Sequence, residues 1–341
     1  MKKYIYIISL LLISCQEEIT LELPQSQDKI VVEGSIENGF PPYVILTKNQ
    51  GYFESIDENT YNNLFIDADT VKVWYINDAG EKEIKLLEKI MGIDSLPPIY
   101  TDKDHLNNLV ATPDIPYDFS QEGRTYYLEI KWNNQIISSS TTIPKVTPLD
   151  SLWVEKSENS DKEYEYDIRA LYSDPADQQN NILIKSKRLE HYTFNEDSCT
   201  TKKIEDFPLQ LVDAGSDVLI NGQSFETYFP KPKDNGNPFS DRSYNADHTE
   251  ICDNGDTLVF KNDIVLIKYC QIDESSLKFW RGLIRQVGTN GNPFAEPLNL
   301  VSNITNGLGI FTGYGSAYYM IPIVKDTVIF EQYTPEIIDI F

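Results

Sequence analysis

Short runs of β-branched and aromatic residues, separated by turn-forming residues, predict that the chain is built mainly from β-strands. The clearest run is Tyr126–Trp132, where alternation places apolar side chains on one face of the strand. Asn133 and Asn134 supply a turn into a second run, Ile136–Ile143. No helical crossover separates such runs, which favours antiparallel pairing. We therefore expect residues 29–145 to form an antiparallel sandwich similar to an immunoglobulin or fibronectin module.

Two prolines, Pro144 and Pro148, then interrupt the strand pattern. Proline punctuates local structure, so we place a domain boundary between residues 145 and 146. Strand-like runs resume after it, and the last of them is Tyr318–Phe330. Residues 146–341 are therefore predicted to form a second β-rich domain.

One segment of this second domain has the period of an amphipathic helix. Leu277, Trp280 and Leu283 fall on one face, and Asp273 is well placed to cap the first turn. The pattern predicts one clear helix near residues 273–286.

The N-terminal residues have the pattern of an export signal. Lys2 and Lys3 precede a short apolar run that ends in Leu12-Ile13-Ser14-Cys15. The run is shorter than the roughly 20 residues that a membrane-spanning helix needs. It resembles a bacterial lipoprotein signal peptide, residues 1–14, in which the residue matching Cys15 carries the lipid after cleavage. The alternative is an ordinary signal peptide with an incidental cysteine.

Residues 15–28 are then predicted to be a lipidated cysteine followed by a polar, acidic tether that contains Glu17 and Glu18. In lipoproteins of the Bacteroidota, acidic residues directly after the cysteine resemble an export signal for the outer face of the outer membrane. We expect a chain that is anchored to the outer membrane through Cys15 and faces the cell exterior. A plain solvated linker is the alternative, and the sequence does not decide between the two leaflets.

The charge excludes one class of partner. The formal net charge is −24, and removal of residues 1–14 would make it more negative by taking away two lysines. Such a chain repels phosphate backbones, so we expect no nucleic-acid partner.

Three cysteines remain besides Cys15. Cys199 and Cys252 lie in polar, loop-like surroundings, whereas Cys270 ends an apolar run. Outside the cytoplasm, three cysteines allow at most one disulfide and one free thiol. The pattern favours a Cys199–Cys252 bridge with Cys270 buried, although spacing alone does not determine connectivity.

Nearly the whole mature chain resembles a family of Bacteroidota outer-membrane lipoproteins, the domain of unknown function 4249. The segments that carry the resemblance are Ile30–Gly34, Ile143-Pro144 with Leu149–Leu152, and Phe279-Trp280 followed by Asn292–Pro297 and Ser302–Phe311. Such proteins tend to be encoded beside TonB-dependent receptors. The resemblance therefore implies a surface partner of a transporter, and it implies no catalytic residues.

The last of these segments contains glycines that permit unusual backbone torsions or close approaches. Our first interpretation of it is structural, because its prolines and glycines shape the chain after the helix. The functional hypothesis is that this segment forms an interface loop, which would include Asn303, Gly307, Gly309 and Phe311.

Sequence motifs of catalysis are absent. The three histidines are isolated in the sequence, and no Gly-x-Ser-x-Gly nucleophile motif occurs. We expect a protein that is not an enzyme and that needs no cofactor and no metal.

Asp-Ser/Thr-aliphatic triplets recur and resemble the O-glycosylation motif of exported Bacteroidota proteins. The candidate acceptors are Thr70, Ser95, Ser151, Thr257 and Thr327. A turn aspartate that leads into a β-branched strand gives the same triplet, so a purely structural origin is the alternative.

Taken together, these patterns predict a surface-exposed lipoprotein that binds or caps a TonB-dependent transporter, in the context of nutrient uptake. The alternative is a stand-alone adhesive or carbohydrate-binding protein with a small-molecule or glycan ligand, and an enzyme is the third hypothesis. The sequence does not name the ligand.

Overall fold

The computed structural model describes residues 29–49, 63–90, 97–111, 116–178, 180–195, 199–205, 208–218, 221–231, 243–289 and 299–340. Within them the protein is mainly β, with large antiparallel sheets, which confirms the predicted fold class. The first region contains helix α1 (Lys103–Ala111) and seven strands: β1 (Ile30–Glu37), β2 (Phe40–Lys48), β3 (Thr70–Ile76), β4 (Lys82–Ile90), β5 (Ile99–Thr101), β6 (Thr125–Trp132) and β7 (Gln135–Thr142).

The second region contains helix α2 (Glu274–Thr289) and a 3-10 helix at Ile337–Ile340. Its strands are β8 (Ser151–Lys156), β9 (Glu165–Ser173), β10 (Asn181–Asn195), β11 (Thr200–Glu205), β12 (Gln210–Ser216), β13 (Ser224–Phe229), β14 (Tyr244–Asn245), β15 (His248–Ile251), β16 (Thr257–Phe260), β17 (Ile264–Ile272), β18 (Leu308–Pro322) and β19 (Val328–Ile329). No helix in the described ranges combines the length and the apolar character needed to cross a membrane.

One long sheet joins the two regions. Its order among the described residues is β11-β10-β17-β18-β1-β2-β5-β4-β3-β6-β7, and β12 pairs with β10. Every neighbouring pair is antiparallel except β1 and β18, which run parallel. A smaller sheet has the order β13-β9-β8-β19, with β14 beside β9. Neither this sheet nor the hairpin β15-β16 pairs its described strands with those of the long sheet.

The cores follow the alternation of the strands. Tyr126, Leu128 and Ile130 are buried in the core of the first region, so the apolar face predicted for β6 is confirmed. Phe311 of β18 is fully buried in that same core, although it comes from the second region. A second core packs β8 and β9 against β17 and β18. The predicted boundary at residues 145 and 146 thus falls between two cores, while the sheet continues across it.

Helix α2 begins where its capping residue predicts. The Asp273 carboxylate accepts a hydrogen bond from the Ser276 backbone N–H (Oδ1, 2.8 Å), which satisfies one of the free donors of the first turn. Leu277 and Trp280 are buried against the sheet, beside Cys270 and Tyr314. The predicted helix is confirmed, and it continues three residues beyond the predicted end, to Thr289.

Candidate functional site

The predicted signature residues do not form a loop as a group. Gly309 and Phe311 lie in β18, paired with Val32 and Gly34 of β1, so the interface-loop interpretation is wrong for both. Phe311 is buried in the first core. At Gly309 the backbone has φ +101°, and a Cβ would lie 2.0 Å from the carbonyl oxygen of Val32. The glycine is required by the close parallel pairing of the two strands.

Asn303 and Gly307 lie just before β18 and support the same pairing. The Asn303 side chain accepts a hydrogen bond from the Phe311 backbone N–H (2.9 Å) and donates one to the Phe311 carbonyl (2.8 Å). A Cβ at Gly307 would crowd Ile304 and Ile30. These contacts give the segment a structural role at the junction between β7, β1 and β18.

The cysteines form the bridge that the sequence favoured. Cys199 and Cys252 are joined by a disulfide with a Cα–Cα separation of 5.9 Å. Cys270 is a buried thiol whose pKa is raised to about 11, chiefly by burial, and its sulfur accepts a hydrogen bond from Ser316 Oγ. The bridge connects the turn after β10 to the turn after β15.

The predicted modification sites differ in their accessibility. Cys15 and Ser95 lie outside the described residues. Thr257 is exposed, whereas Thr70, Ser151 and Thr327 are half-buried. Thr257 begins β16, Thr70 begins β3 and Ser151 begins β8, while Thr327 directly precedes β19. The triplets therefore coincide with strand starts, as the structural alternative requires, and O-glycosylation stays a prediction.

A buried ion pair lies where the two regions meet. Lys268 Nζ of β17 donates a hydrogen bond to Glu37 Oε2 of β1 at 2.5 Å, and both side chains are almost completely buried. Tyr318 of β18 donates its hydroxyl hydrogen to the other oxygen of Glu37 (2.7 Å). Burial, followed by the charge of Glu37, raises the pKa of Tyr318 well above its ordinary value. The carboxylate is thus fully engaged by two donors.

A second lysine, Lys185 of β10, lies on the same face of the sheet, directly across from Lys268. Lys185 Nζ of β10 lies 4.6 Å from the centre of the Trp280 ring and 5.4 Å from that of Tyr314. No carboxylate of the described residues forms an ion pair with it. Burial and, next, the positive charge of Lys268 lower the pKa of Lys185 to about 8.

A cleft of about 860 Å³ opens above Tyr318. One wall is formed by the β1–β2 turn, and another is formed by α1 together with Pro116. The C-terminal segment, residues 332–337, forms the opposite wall, and Ser316 and Tyr318 of β18 line the cleft as well. Its volume lies in the range of about 300–1,000 Å³ that is typical of small-molecule sites.

His105 of α1 faces this cleft beside a cluster that is already engaged. Asp102 accepts hydrogen bonds from the His105 backbone N–H (3.2 Å) and the Tyr117 hydroxyl (3.0 Å), and Lys85 Nζ lies 2.8 Å away. Burial opposes ionisation of Asp102, but these partners outweigh it and lower the pKa of its carboxyl. Burial also lowers the pKa of His105, which favours the neutral form of its imidazole at pH 7.

An apolar patch lies among charged side chains on the outer face of the first region. We call it the outer patch and define it as Trp74, Ile76, Ile84, Leu86 and Tyr127. Trp74 pairs with Ile84 on one side and with Tyr127 on the other, which places their side chains on one face of the sheet. Ile76, Ile84 and Leu86 are 56%, 51% and 60% exposed. Large apolar side chains gathered on a surface mark interaction sites.

Both faces of the Trp74 ring in the outer patch are occupied. Tyr127 stacks on it with ring centres 4.1 Å apart, and Lys82 Nζ lies 3.5 Å from the ring centre. Because β4 and β6 flank β3 on opposite sides, these two residues cover opposite faces of the indole. Beside the patch, Lys72 and Glu129 form an ion pair of 2.8 Å.

The sequence analysis missed the cleft and the outer patch for different reasons. The run Glu83–Leu86 alternates polar and apolar residues, a local signal that could have identified β4. The same signal would have placed Ile84 and Leu86 in a core, so the exposure of this face has no local signal. The cleft has no local signal, since it combines residues near positions 40, 105, 318 and 335.

The chain matches the model of a known protein family. The model of the family described as Domain of unknown function (DUF4249) matches residues 16–319. None of the curated proteins compared with the chain matches it.

Proposed function

The chain belongs to the DUF4249 family, and we propose that it is an outer-membrane lipoprotein that binds a TonB-dependent transporter as an accessory. In this proposal Cys15 carries the lipid, the mature chain faces the cell exterior, and the outer patch contacts the transporter. The protein acts by binding or capping and performs no chemical step of its own.

The N-terminal residues support the anchoring part of the proposal. The run that ends in Leu12-Ile13-Ser14-Cys15 resembles a lipoprotein signal. The family match begins at residue 16, directly after Cys15, so the signal-like segment lies outside the matched domain. More than one acyl chain on Cys15 would hold the protein stably on a membrane without a spanning helix.

The outer patch is the observation that carries the binding part of the proposal. Ile76, Ile84 and Leu86 expose more than half of their surface on one face of a sheet. The ion pair between Lys72 and Glu129 flanks them. An apolar centre with charged neighbours is the arrangement of a protein–protein interface.

The geometry of Trp74 favours a protein partner over a glycan. A sugar ring packs against a free aromatic face, whereas Tyr127 and Lys82 already cover both faces of this indole. The aliphatic side chains Ile84 and Leu86 lie beside it, and aliphatic groups pack well against another protein.

The engaged titratable groups support a role without catalysis. Asp102 is held by Lys85, Tyr117 and the first turn of α1. Glu37 is held by Lys268 and Tyr318. A general base needs a free position within reach of its substrate, and neither carboxylate offers one.

The test is a mild-detergent pull-down of the tagged, full-length protein from its native outer membrane, with partners identified by mass spectrometry. We expect a TonB-dependent receptor in stoichiometric amount. In the double variant Ile84→Asp and Leu86→Asp, the recovered receptor should fall by about tenfold or more, because two charges would be buried at the interface.

The matched control is Ile251→Asp. Ile251 is 80% exposed, but it lies on the separate β15–β16 hairpin, so this variant should recover the receptor as the unmodified protein does. Recovery of the lipoprotein alone, under conditions that preserve other membrane complexes, would refute the transporter role. An equal loss of receptor in both variants would refute the assignment of the interface to the outer patch.

A further inference from the structure

The cleft above Tyr318 has an uneven charge. Among the described residues that line it there is one carboxylate, Glu336, and no lysine or arginine. His105 also lines the cleft, and burial lowers the pKa of its imidazole, which favours the neutral form at pH 7. Two buried lysines lie behind the lining, and both are paired: Lys268 with Glu37, and Lys187 with Asp339. A ligand inside the cleft therefore meets a negative potential.

The Glu336 carboxylate is available to a ligand. Glu336 is exposed, and both of its backbone groups are engaged by Asp339: its N–H donates to Asp339 Oδ2 (3.0 Å), and its carbonyl accepts from the Asp339 backbone N–H (2.9 Å). Among the described residues, no hydrogen bond or ion pair involves the Glu336 carboxylate. The neighbouring Asp339 contrasts with it, since Lys187 (3.0 Å) and the Tyr333 hydroxyl (3.1 Å) both hold its carboxylate. These contacts fix the C-terminal wall and leave Glu336 as its free charge within the described chain.

The remaining lining is aromatic and apolar. Phe40, Tyr318 and Tyr333 contribute aromatic rings, and Pro116 and Pro335 contribute rigid apolar surface. Aromatic ring faces attract cations, and the attraction is strongest where water is displaced. Phe40 and Tyr333 are half-buried against the cluster that contains Tyr318, whereas Tyr318 itself is only 3% exposed. Phe40 and Tyr333 therefore supply the aromatic surface that a ligand can reach.

We propose that this cleft is a binding site for a small organic cation, a quaternary ammonium or protonated amine, with Glu336 as its counter-charge and Phe40 and Tyr333 as its aromatic wall. The net charge of −24 draws cations toward the protein from a distance and repels anionic ligands. The site is separate from the outer patch, so it does not depend on the transporter proposal.

The test is isothermal titration calorimetry of the full chain with choline and with its uncharged carbon isostere, 3,3-dimethylbutan-1-ol. The two molecules share their shape and differ in charge. We expect choline to bind about tenfold or more tightly than the isostere, because only the cation gains from the carboxylate and the rings. Its affinity should fall as salt is added.

Two variants locate the site. Glu336→Gln should weaken choline binding about fivefold or more, whereas the matched control Glu331→Gln should not, because Glu331 is also exposed and directly precedes the segment but does not line the cleft. Phe40→Leu should weaken choline and leave the isostere unchanged. Near-ultraviolet circular dichroism checks that each variant is folded.

Several outcomes would overturn the proposal. Equal affinity for choline and its isostere would show that charge is not recognised. Unchanged choline binding in Glu336→Gln would place the cation elsewhere. If neither choline nor the larger benzyltrimethylammonium ion binds, the cleft is not a cation site.

Discussion

Glu37 and Lys268 are two residues whose charges meet only in the folded chain, 231 positions apart. Both are buried, and Tyr318 completes the hydrogen bonding of the carboxylate. A buried pair adds little net stability, because desolvation offsets most of the attraction, but removal of one partner strands the other charge. The pair therefore makes the junction between β1 and β17 sensitive to single substitutions.

We expect Glu37→Gln to lower the free energy of unfolding by about 3–5 kcal/mol, since Lys268 loses its counter-charge. The double variant with Lys268→Met should recover much of this loss. The control is Glu129→Gln, which breaks the more exposed pair with Lys72 and should cost at most about 1 kcal/mol. Urea unfolding measures all three. Equal effects of Glu37→Gln and Glu129→Gln would contradict the buried-pair interpretation.

Lys185 should make stability depend on pH in the opposite sense to a salt-bridged lysine. Its pKa is about 8 in the folded protein and ordinary, 10.5, when unfolded. Between these two pKa values, Lys185 binds more protons in the unfolded chain than in the folded chain. Its contribution therefore makes the free energy of unfolding rise as the pH increases from about 8 to about 10.5. Lys185→Met should remove that part of the rise. Parallel stability curves for the two proteins over this range would argue against the lowered pKa.

At the scale of elements, β18 holds the two regions together. It pairs in parallel with β1 on one side and antiparallel with β17 on the other, and its residues contribute to all four clusters of buried residues. The close approach at Gly309 is what permits the parallel pairing, because the Val32 carbonyl occupies the place of a side chain.

Gly309→Ala should therefore prevent stable folding. The matched control is Gly80→Ala: both glycines have positive φ, but a Cβ at Gly80 would meet nothing within 4 Å. The control should cost only the torsional penalty, about 1–2 kcal/mol. Thermal unfolding of both variants separates the clash from the torsion. If the two substitutions cost the same, the close approach to Val32 is not the constraint.

The elements that the sequence predicted are those with local causes. Helix α2 has its cap at Asp273 and its apolar period within sixteen residues, and β6 has strict alternation at Tyr126, Leu128 and Ile130. The place of Gly309 and Phe311 in a strand could not be predicted, because that strand depends on pairing with β1, almost 280 residues away. The glycines there suggested a loop, since glycine is also the usual residue of turns.

At the scale of the whole molecule, the shared sheet opposes independent folding of the predicted domains. The core of residues 29–145 includes Ile304 and Phe311 from outside that range. The strand β1 has β18 as its neighbour on one edge, so a fragment without β18 would expose unpaired backbone groups. The division at residues 145 and 146 therefore falls between two hydrophobic cores, but it does not divide the chain into two units that fold independently.

We expect a fragment of residues 29–145 to lack a cooperative unfolding transition, because it has lost two buried side chains and a strand neighbour. Circular dichroism with urea titration measures this, and the full mature chain is the control. A fragment that unfolds cooperatively near the midpoint of the full chain would instead support a self-sufficient first domain.

The Cys199–Cys252 disulfide spans 53 positions of the chain. Every peptide bond between the two cysteines lies inside the covalent ring that the disulfide closes. A protease that cuts once within residues 200–251 therefore divides the backbone but releases no fragment. On a denaturing gel such a nicked molecule runs as one band until it is reduced. A protease can therefore cleave this stretch without separating β17 and β18 from the rest of the sheet.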